Sequence, residues 1–479
     1  MILSLKLLIP EIFLSAIALL LLGVDAFFAE RQKRWAMFIS LVSLVFALFL
    51  VVSNDFSGRA FNMFVSDGFS VFFKLVAIFG AMLVVLMSEK DDELMGKNAG
   101  TYSALIILST VGVMLLASSE DLLMVFLGME LATVPLFILS GFLRNNMRSS
   151  EGAIKFFLVG AFSTGIMIYG ISLLYGVCGS TRFSVLRDWL IFSFEEGNAL
   201  FLLAIILFFV GIGFKLTLVP FHQWTPDAYE GAPTPITAFF SVSRDAGVLA
   251  VALRFFSEFA NTGCLGLTDL FMLLSILTMT VANITALSQN NLKRLLAYSS
   301  IAHAGNIFIG IVAGTMLGRE GAMLYVLAYL FMNMGAFSVV TIISRFKGSV
   351  DLESVQGLAK ENLSLAMLML FFLFSLAGIP PFLGFWGKFY VFSAAIGVKM
   401  YWLVAIALLN AVIAVYYYFR IIHKMFFQNP SEKFASMPER IGQPGIQIAV
   451  GFCACVIIFL GVYPQQALAW IKDMANMLP

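Results

Sequence analysis

Apolar runs long enough to cross a lipid bilayer recur along the whole chain, and no other feature constrains its fold as strongly. "ALFLLAIILFFV", beginning at Ala199, contains no polar side chain. A crossing helix needs about 20 predominantly apolar residues. By that measure helices are expected at Glu11–Phe28, Ala36–Ser53, Gly68–Ser88, Tyr102–Ser118, Leu122–Leu143, Ala153–Cys178 and Ala199–Asp227. A second group is expected at Thr234–Phe256, Leu270–Leu287, Ile301–Leu317, Ala322–Ile343, Leu363–Ile396, Trp402–Ile421 and Ile446–Val462. Backbone polar groups in lipid must be satisfied within the segment, so spans this apolar are helical. The expected class is all-α: a polytopic membrane protein of about fourteen helices.

Composition agrees. The chain is 61% hydrophobic and 12% charged, with a formal net charge of +1; soluble domains are about half apolar and a quarter charged. Too little polar surface exists to cover the molecule, so lipid is its solvent. A near-neutral balance gives no case for nucleic acid, which calls for basic stripes. Cys178, Cys264, Cys453 and Cys455 lack the spacing of a zinc or iron–sulfur site and read as packing residues. No glycine-rich phosphate loop is present. The first apolar run is too long for a cleaved signal, and Arg31, Lys33 and Arg34 follow it instead of preceding it, so it reads as a retained first span.

Lysine and arginine in short loops set orientation. One side gathers Arg31, Lys33, Arg34, Lys90, Lys97, Arg144, Arg148, Lys293, Arg294, Arg345, Lys347, Lys360, Arg420, Lys424, Lys433 and Arg440. The other holds only Lys6, Arg59, Arg182, Arg187, Arg319, Lys399 and Lys472. The first side is therefore expected to face the cytoplasm, with both termini on the outer, periplasmic side.

The chain also resembles itself. "EGAIKFFLVGAF" at Glu151 is echoed by "EGAMLYVLAYLF" at Glu320, and later in each half "VPFHQW" at Val219 is echoed by "IPPFLGFW" at Ile379. Matches in the same order predict two five-helix units, and an odd number of crossings inserts the second upside down. The expected divisions are three N-terminal helices (1–101), a first repeat (102–258), an inverted second repeat (259–425), and a loop with a last helix (426–479). Inverted repeats with interrupted helices are a transporter plan, with ion sites near the midplane at the breaks.

Charges at those breaks carry the functional argument. The seventh span is too long for one straight crossing, and Gly211, Gly213 and Pro220 allow it to break beside Lys215. The twelfth repeats the design, with Gly378, Pro380, Pro381, Gly384 and Gly387 ahead of Lys388. A charge at bilayer depth costs roughly 2.5–3.5 kcal/mol on insertion scales. A lysine near a helix end can snorkel to the interface, which accounts for Lys74 and Lys155. It does not account for Lys215, flanked by apolar residues on both sides, nor for Glu130, whose short side chain sits midway along the fifth span. Lys215 is the natural partner of Glu130. Burial favours a neutral amine and a nearby carboxylate favours a charged one. A lysine whose carboxylate neighbour approaches and withdraws therefore alternates between holding and releasing a proton.

In the eighth span Arg244 adjoins Asp245. An arginine keeps its proton at any pH a cell meets, so Arg244 orients and biases but does not pass protons; Asp245 can, or the two form a structural ion pair. His303 opens the tenth span, where a lone histidine is usually a satisfied core residue, though its chemistry suits a link between Lys215 and Lys388. His222 and His423 lie near the interfaces and read as structural. "PDAYEGAPTP" joins spans seven and eight with Asp227 and Glu230, as a gate or a capped turn.

"GFKLTLVPFHQWTPDAYEGAPTPITAFFSVSRDAG" resembles the signature of the antiporter-like membrane subunits of proton-pumping NADH–quinone oxidoreductase, respiratory complex I, and within them the subunit N line. "FLGMELATVPLFILSGF", "NLKRLLAYSSIAHAGN" and "AGIPPFLGFWGKFYVF" extend the resemblance over Tyr102–Lys424. The chain ends soon after the last span, without the long lateral helix of subunit L. The resemblance implies a Glu130–Lys215 pair in the proton-uptake half-channel and Lys388 on the exit side. Where that family usually has a lysine in a Ser-Lys context, "SVSRDAG" supplies Arg244. It further implies no redox cofactor in this chain. NAD, FMN, iron–sulfur clusters and quinone would belong to partner subunits, alongside other antiporter-like and small membrane subunits in a bacterial or archaeal inner membrane. The expected proton relay is Glu130, Lys215, Arg244, Asp245, His303 and Lys388. Two alternatives stand: a subunit of a multi-subunit cation/proton antiporter or membrane-bound hydrogenase, and a scaffold with an inactive channel.

Overall fold

The computed structural model describes residues 2–27, 35–53, 57–89, 91, 94, 98–196, 199–259, 265–438 and 441–476. In chain order the elements are α1 (Ile2–Leu7), α2 (Ile9–Phe27), α3 (Trp35–Val52), β1 (Gly58–Ala60), β2 (Phe64–Ser66), α4 (Gly68–Met87), α5 (Ala99–Ala117) and α6 (Leu122–Ser140). There follow α7 (Met147–Cys178), α8 (Phe183–Glu196), α9 (Ala199–Lys215), α10 (Thr225–Gly231), α11 (Thr234–Phe259), α12 (Leu265–Ala286) and α13 (Leu292–Val312). The chain closes with α14 (Met316–Lys347), α15 (Leu358–Glu361), α16 (Leu363–Ala377), α17 (Leu383–Gly397), α18 (Tyr401–Phe427), α19 (Pro444–Val462) and α20 (Pro464–Ala475). Eleven described helices are long and apolar enough to cross a membrane, and three shorter apolar helices, Ile9–Gly23, Ala199–Lys215 and Leu363–Ala377, join them.

The helices start and stop where side chains satisfy their ends. Asp67 and Ser70 form a reciprocal cap on α4, Asn146 accepts from Arg148 and Ser149 at the start of α7, and Asn362 caps α16. These are the residue types whose short side chains bond the first orphan amides. Gly179, Gly348 and Gly378 end α7, α14 and α16 in the left-handed conformation that a missing Cβ makes easy.

Three expectations change. The class is predominantly helical but includes an antiparallel hairpin, Gly58 to Ser66 and Ala60 to Phe64, closed by Phe61 and Asn62 at positive φ; it lies between α3 and α4, where no apolar periodicity forecasts it. The tenth helix begins at Leu292, not Ile301. Asn291 caps it, and the polar residues Lys293 and Arg294 are held inside its first turn by partners on α10. His303 thus lies deep within α13, not at its opening. Lys74 does not snorkel: its ammonium meets Glu11 Oε1 at 2.8 Å with both side chains 3% exposed. Cys264, Arg31, Lys33, Arg34, Lys90, Lys97 and Arg440 lie outside the described residues.

Packing is concentric. The Thr234–Phe256 stretch of α11 is wholly buried, and α13 and α14 nearly so, whereas α3, α7, α12 and α18 leave most of their apolar surface outward. In water such faces would be a liability; in lipid they are the expected outer surface. Of the buried helices, α11 carries Arg244 and Asp245, and α13 carries His303. Close backbone approach fixes a further helix: a Cβ at Gly112 of α5 would meet the backbone of Ala132 on α6, and α6 carries Glu130. Gly112→Ala should therefore destabilise the protein by about 1–3 kcal/mol through overpacking, read as a lowered thermal midpoint of the assembled protein.

Candidate functional site: a line of buried ionisable groups

The seventh helix breaks where the sequence placed the break. α9 ends at Lys215, the backbone turns through Leu216–Trp224, and α10 begins at Thr225. Within the turn, Leu216 and Leu218 still donate to Ile212 and Gly213, and the Val219 amide donates to Thr278 Oγ1 of α12 at 3.0 Å. A side chain of a neighbouring helix thus satisfies an amide that the break released.

Lys215 is buried. Its ammonium donates to Thr133 Oγ1 of α6 at 2.9 Å and stands 3.9 Å from Glu130 Oε1. The rings of Phe137 and Phe214 flank it at 5.6 and 5.5 Å, within cation–π range. Glu130 is 29% exposed on the side of α6 next to α7, where its carboxylate accepts from Thr164 Oγ1 at 2.9 Å. The sequence placed Glu130 in a sealed interior; α6 instead turns it toward the flank of the bundle, with Thr164 as its anchor. The pair is loose: each charge has its own hydroxyl partner, and the two stand 3.9 Å apart. That is a poor design for a rigid staple and a good one for a contact that opens and closes.

Arg244, wholly buried, donates from Nε and Nη2 to Asp245 Oδ1 at 2.9 and 2.5 Å. Its guanidinium lies 4.9 Å from the Trp224 ring, which is itself stacked on Phe156 at 4.1 Å. Nη1 has no partner among the described residues. An ion pair and an unspent donor coexist here.

His303 sits between two tyrosines, Nδ1 to Tyr325 OH at 2.9 Å and Nε2 to Tyr418 OH at 3.2 Å, and Tyr418 OH meets Ser299 Oγ at 2.5 Å. At the second broken helix, α16 ends at Gly378 and α17 begins at Leu383. Lys388 reaches back to donate to the carbonyls of Leu376 and Ala377 at 3.0 and 2.8 Å. These are final-turn acceptors of α16, whose dipole favours a cation. Lys388 is therefore held by backbone where Lys215 is held by side chains.

The α10 segment is clamped from both sides. Asp227 pairs with Lys155 of α7 at 2.7 Å and Arg294 of α13 at 2.7 Å, while Glu230 pairs with Arg148 and Arg294 at 3.0 and 2.9 Å. Buried Lys293 donates to the carbonyls of Glu230 and Ala232 at 2.8 and 2.6 Å. Beside this clamp opens a cavity of about 800 Å³ lined by Arg148, Glu230, Thr234, Lys293 and Arg345. Partly exposed ion pairs contribute roughly 0.2–1 kcal/mol each. Asp227 makes two such pairs, so Asp227→Asn should lower the stability of the assembled protein by no more than about 2 kcal/mol, read in the same thermal assay as Gly112→Ala.

The structure thus brings Glu130 to Lys215 and Arg244 to Asp245, while His303 and Lys388 are each held by partners of their own. Sequence reasoning missed the hydroxyl partners Thr133, Thr164, Tyr325 and Tyr418. A signal for some was present: Thr133 follows Glu130 by three residues, and Tyr325, Tyr329 and Asn333 recur every fourth residue of α14, each spacing placing them on one helix face. Among the described residues no group of three or more His, Cys, Asp or Glu is arranged to hold a metal ion.

Residues 119–414 match the family described as NADH:quinone oxidoreductase/Mrp antiporter, TM. A NADH-quinone oxidoreductase subunit N of Trichlorobacter lovleyi is 41% identical over 481 residues, covering 99% of this chain and 98% of the relative. A chain of respiratory complex I from Thermus thermophilus superposes with a TM-score of 0.82 at 29% identity, covering 97% of this chain and all of that one. A chain of the Mrp complex from Dietzia shares the fold, with a TM-score of 0.86 at 19% identity over 99% of this chain and 97% of its own.

Proposed function

This chain belongs to the NADH:quinone oxidoreductase/Mrp antiporter family of membrane subunits, and from that premise we propose that it is the proton-translocating subunit N of a complex that oxidises NADH and reduces quinone in a bacterial inner membrane. The observation that carries the reading is the loose pair of Lys215 and Glu130 at a helix break, 3.9 Å apart.

In this reading the eleven long helices and three short ones make fourteen crossings, divided at 101, 258 and 425 into N-terminal helices, two inverted repeats and a C-terminal part. Both termini face the periplasm. A proton reaches Lys215 while Glu130 is close; withdrawal of the carboxylate, driven by the neighbouring subunit, favours the neutral amine and sends the proton inward. Arg244 holds Asp245 in place and repels the arriving charge. His303 relays, and Lys388 delivers the proton to the opposite side. This chain does no redox chemistry: NADH, flavin, iron–sulfur clusters and quinone are handled by partner subunits. Affinity purification through a tag on this chain, followed by identification of its companions, tests the assignment. NADH-oxidising peripheral subunits are the expected result; their absence beside other antiporter-like subunits would move the chain to the cation/proton antiporters.

A further inference from the structure

Two buried threonines touch the Glu130–Lys215 pair, one on each charge. Thr133, three residues after Glu130 on α6, donates its hydrogen to the Met129 carbonyl at 2.8 Å. Its oxygen is left to accept, and it accepts from Lys215 at 2.9 Å. Thr164 of α7 does the reverse. A threonine inside a helix ordinarily bonds back to its own helix, as Thr110, Thr278 and Thr341 do. Thr164 instead crosses to α6 and donates to Glu130 Oε1 at 2.9 Å. That is the same oxygen that stands 3.9 Å from Lys215. Thr164 and Lys215 therefore compete for one carboxylate oxygen, and the threonine holds it. The backbone beneath is pinned: Ser109 of α5 donates to the Ala132 carbonyl at 2.7 Å, and a Cβ at Gly112 would strike the Ala132 amide. With α6 fixed there, the gap changes by swings of the two long side chains.

We propose that Thr133 and Thr164 are positioning residues that hold Lys215 and Glu130 parted, the state in which the amine gives up its proton. The inference rests on the proton-translocating reading of the site. A carboxylate in contact favours the charged amine, so a pair with no other partner stays closed and keeps its proton. Loss of either hydroxyl frees one member of the pair for the other. Thr133 passes no proton itself. Its hydrogen stays on the Met129 carbonyl, and its oxygen accepts equally from the ammonium before release and from the neutral amine after it. Thr164 likewise keeps its hydrogen and only anchors the withdrawn carboxylate.

The test uses the whole complex in inverted membrane vesicles and reads proton uptake per NADH oxidised. Valine keeps the shape of threonine without the hydroxyl; serine keeps the hydroxyl without the methyl group. Thr133→Val and Thr164→Val should each lower proton uptake roughly tenfold, the change that one hydrogen bond to a charged group makes. The amount of assembled complex, and NADH oxidation by an artificial acceptor at the peripheral subunits, should stay at wild-type level. Thr133→Ser and Thr164→Ser should pump as the wild type does. A packing role predicts the opposite order, since serine opens a gap and valine does not. If a valine variant fails to assemble, the serine arm still decides: a serine variant that assembles but pumps tenfold less overturns the proposal. Wild-type pumping by an assembled Thr133→Val/Thr164→Val double variant overturns it too. That result beside lost pumping in Glu130→Ala removes only the positioning role; normal pumping in Glu130→Ala as well removes the translocation reading.

Discussion

Glu130→Ala and Lys215→Ala are each expected to lower proton pumping by about a hundredfold or more, the range in which a positioned acid–base group contributes, while the complex still assembles and still takes electrons from NADH. Assembly should survive because neither residue staples the fold: Glu130 is part exposed, and Lys215 has the Thr133 hydroxyl besides the distant carboxylate. Two conservative variants separate proton exchange from fixed charge. Lys215→Arg preserves the positive charge but gives it to a group that does not release a proton; if Lys215 acted only as a countercharge, this variant would pump. Glu130→Gln keeps the shape and a hydrogen bond for Thr164 but loses the charge that closes on Lys215. Both should be as inactive as the alanine variants. Dye-quench measurements on inverted vesicles energised with NADH read the outcome. Wild-type pumping by Glu130→Ala and Lys215→Ala would leave the chain as a scaffold, a role that the Arg244–Asp245 ion pair would then suit.

The parts of this molecule legible from sequence are those governed by solvent. Apolar run length located nearly every long helix, and the glycines and prolines around Lys215 and Lys388 located both breaks, because lipid penalises exposed backbone wherever a run is interrupted. Glu130, Lys215 and Lys388 stood out for the same reason. What stayed hidden depends on which face of a helix meets which neighbour. Helices hydrophobic all round carry no phase, so nothing in "FLGMELATVPL" says that Glu130 turns toward Thr164 of α7, and nothing in "SSIAHAGNIFIG" says that His303 falls between Tyr325 and Tyr418. The start of α13 was misplaced because Lys293 and Arg294 look like loop residues until the carbonyls and carboxylates of α10 are brought to them. Lys74 was misread for a related reason: its partner lies in another helix, 63 positions away in the chain.

The Lys74–Glu11 pair carries the largest stability effect expected here. Lys74 of α4 and Glu11 of α2 are both removed from solvent, with the Phe64 ring 4.7 Å from the ammonium. Truncating one member of a buried pair leaves the other charge uncompensated and costs about 3–5 kcal/mol, whereas replacing both with apolar residues of similar volume is often neutral or favourable by roughly 1–4 kcal/mol. Lys74→Met should therefore deplete this chain from the assembled complex, and Glu11→Leu should do the same, while Lys74→Met/Glu11→Leu recovers normal levels. Recovery is the informative arm. Adding a second loss to a protein already destabilised lowers stability further unless the two side chains act only on each other, as their 2.8 Å contact implies. The amount of chain in the purified complex and its thermal midpoint measure all three variants. A double variant that assembles no better than the singles would mean that Lys74 and Glu11 serve something beyond one another.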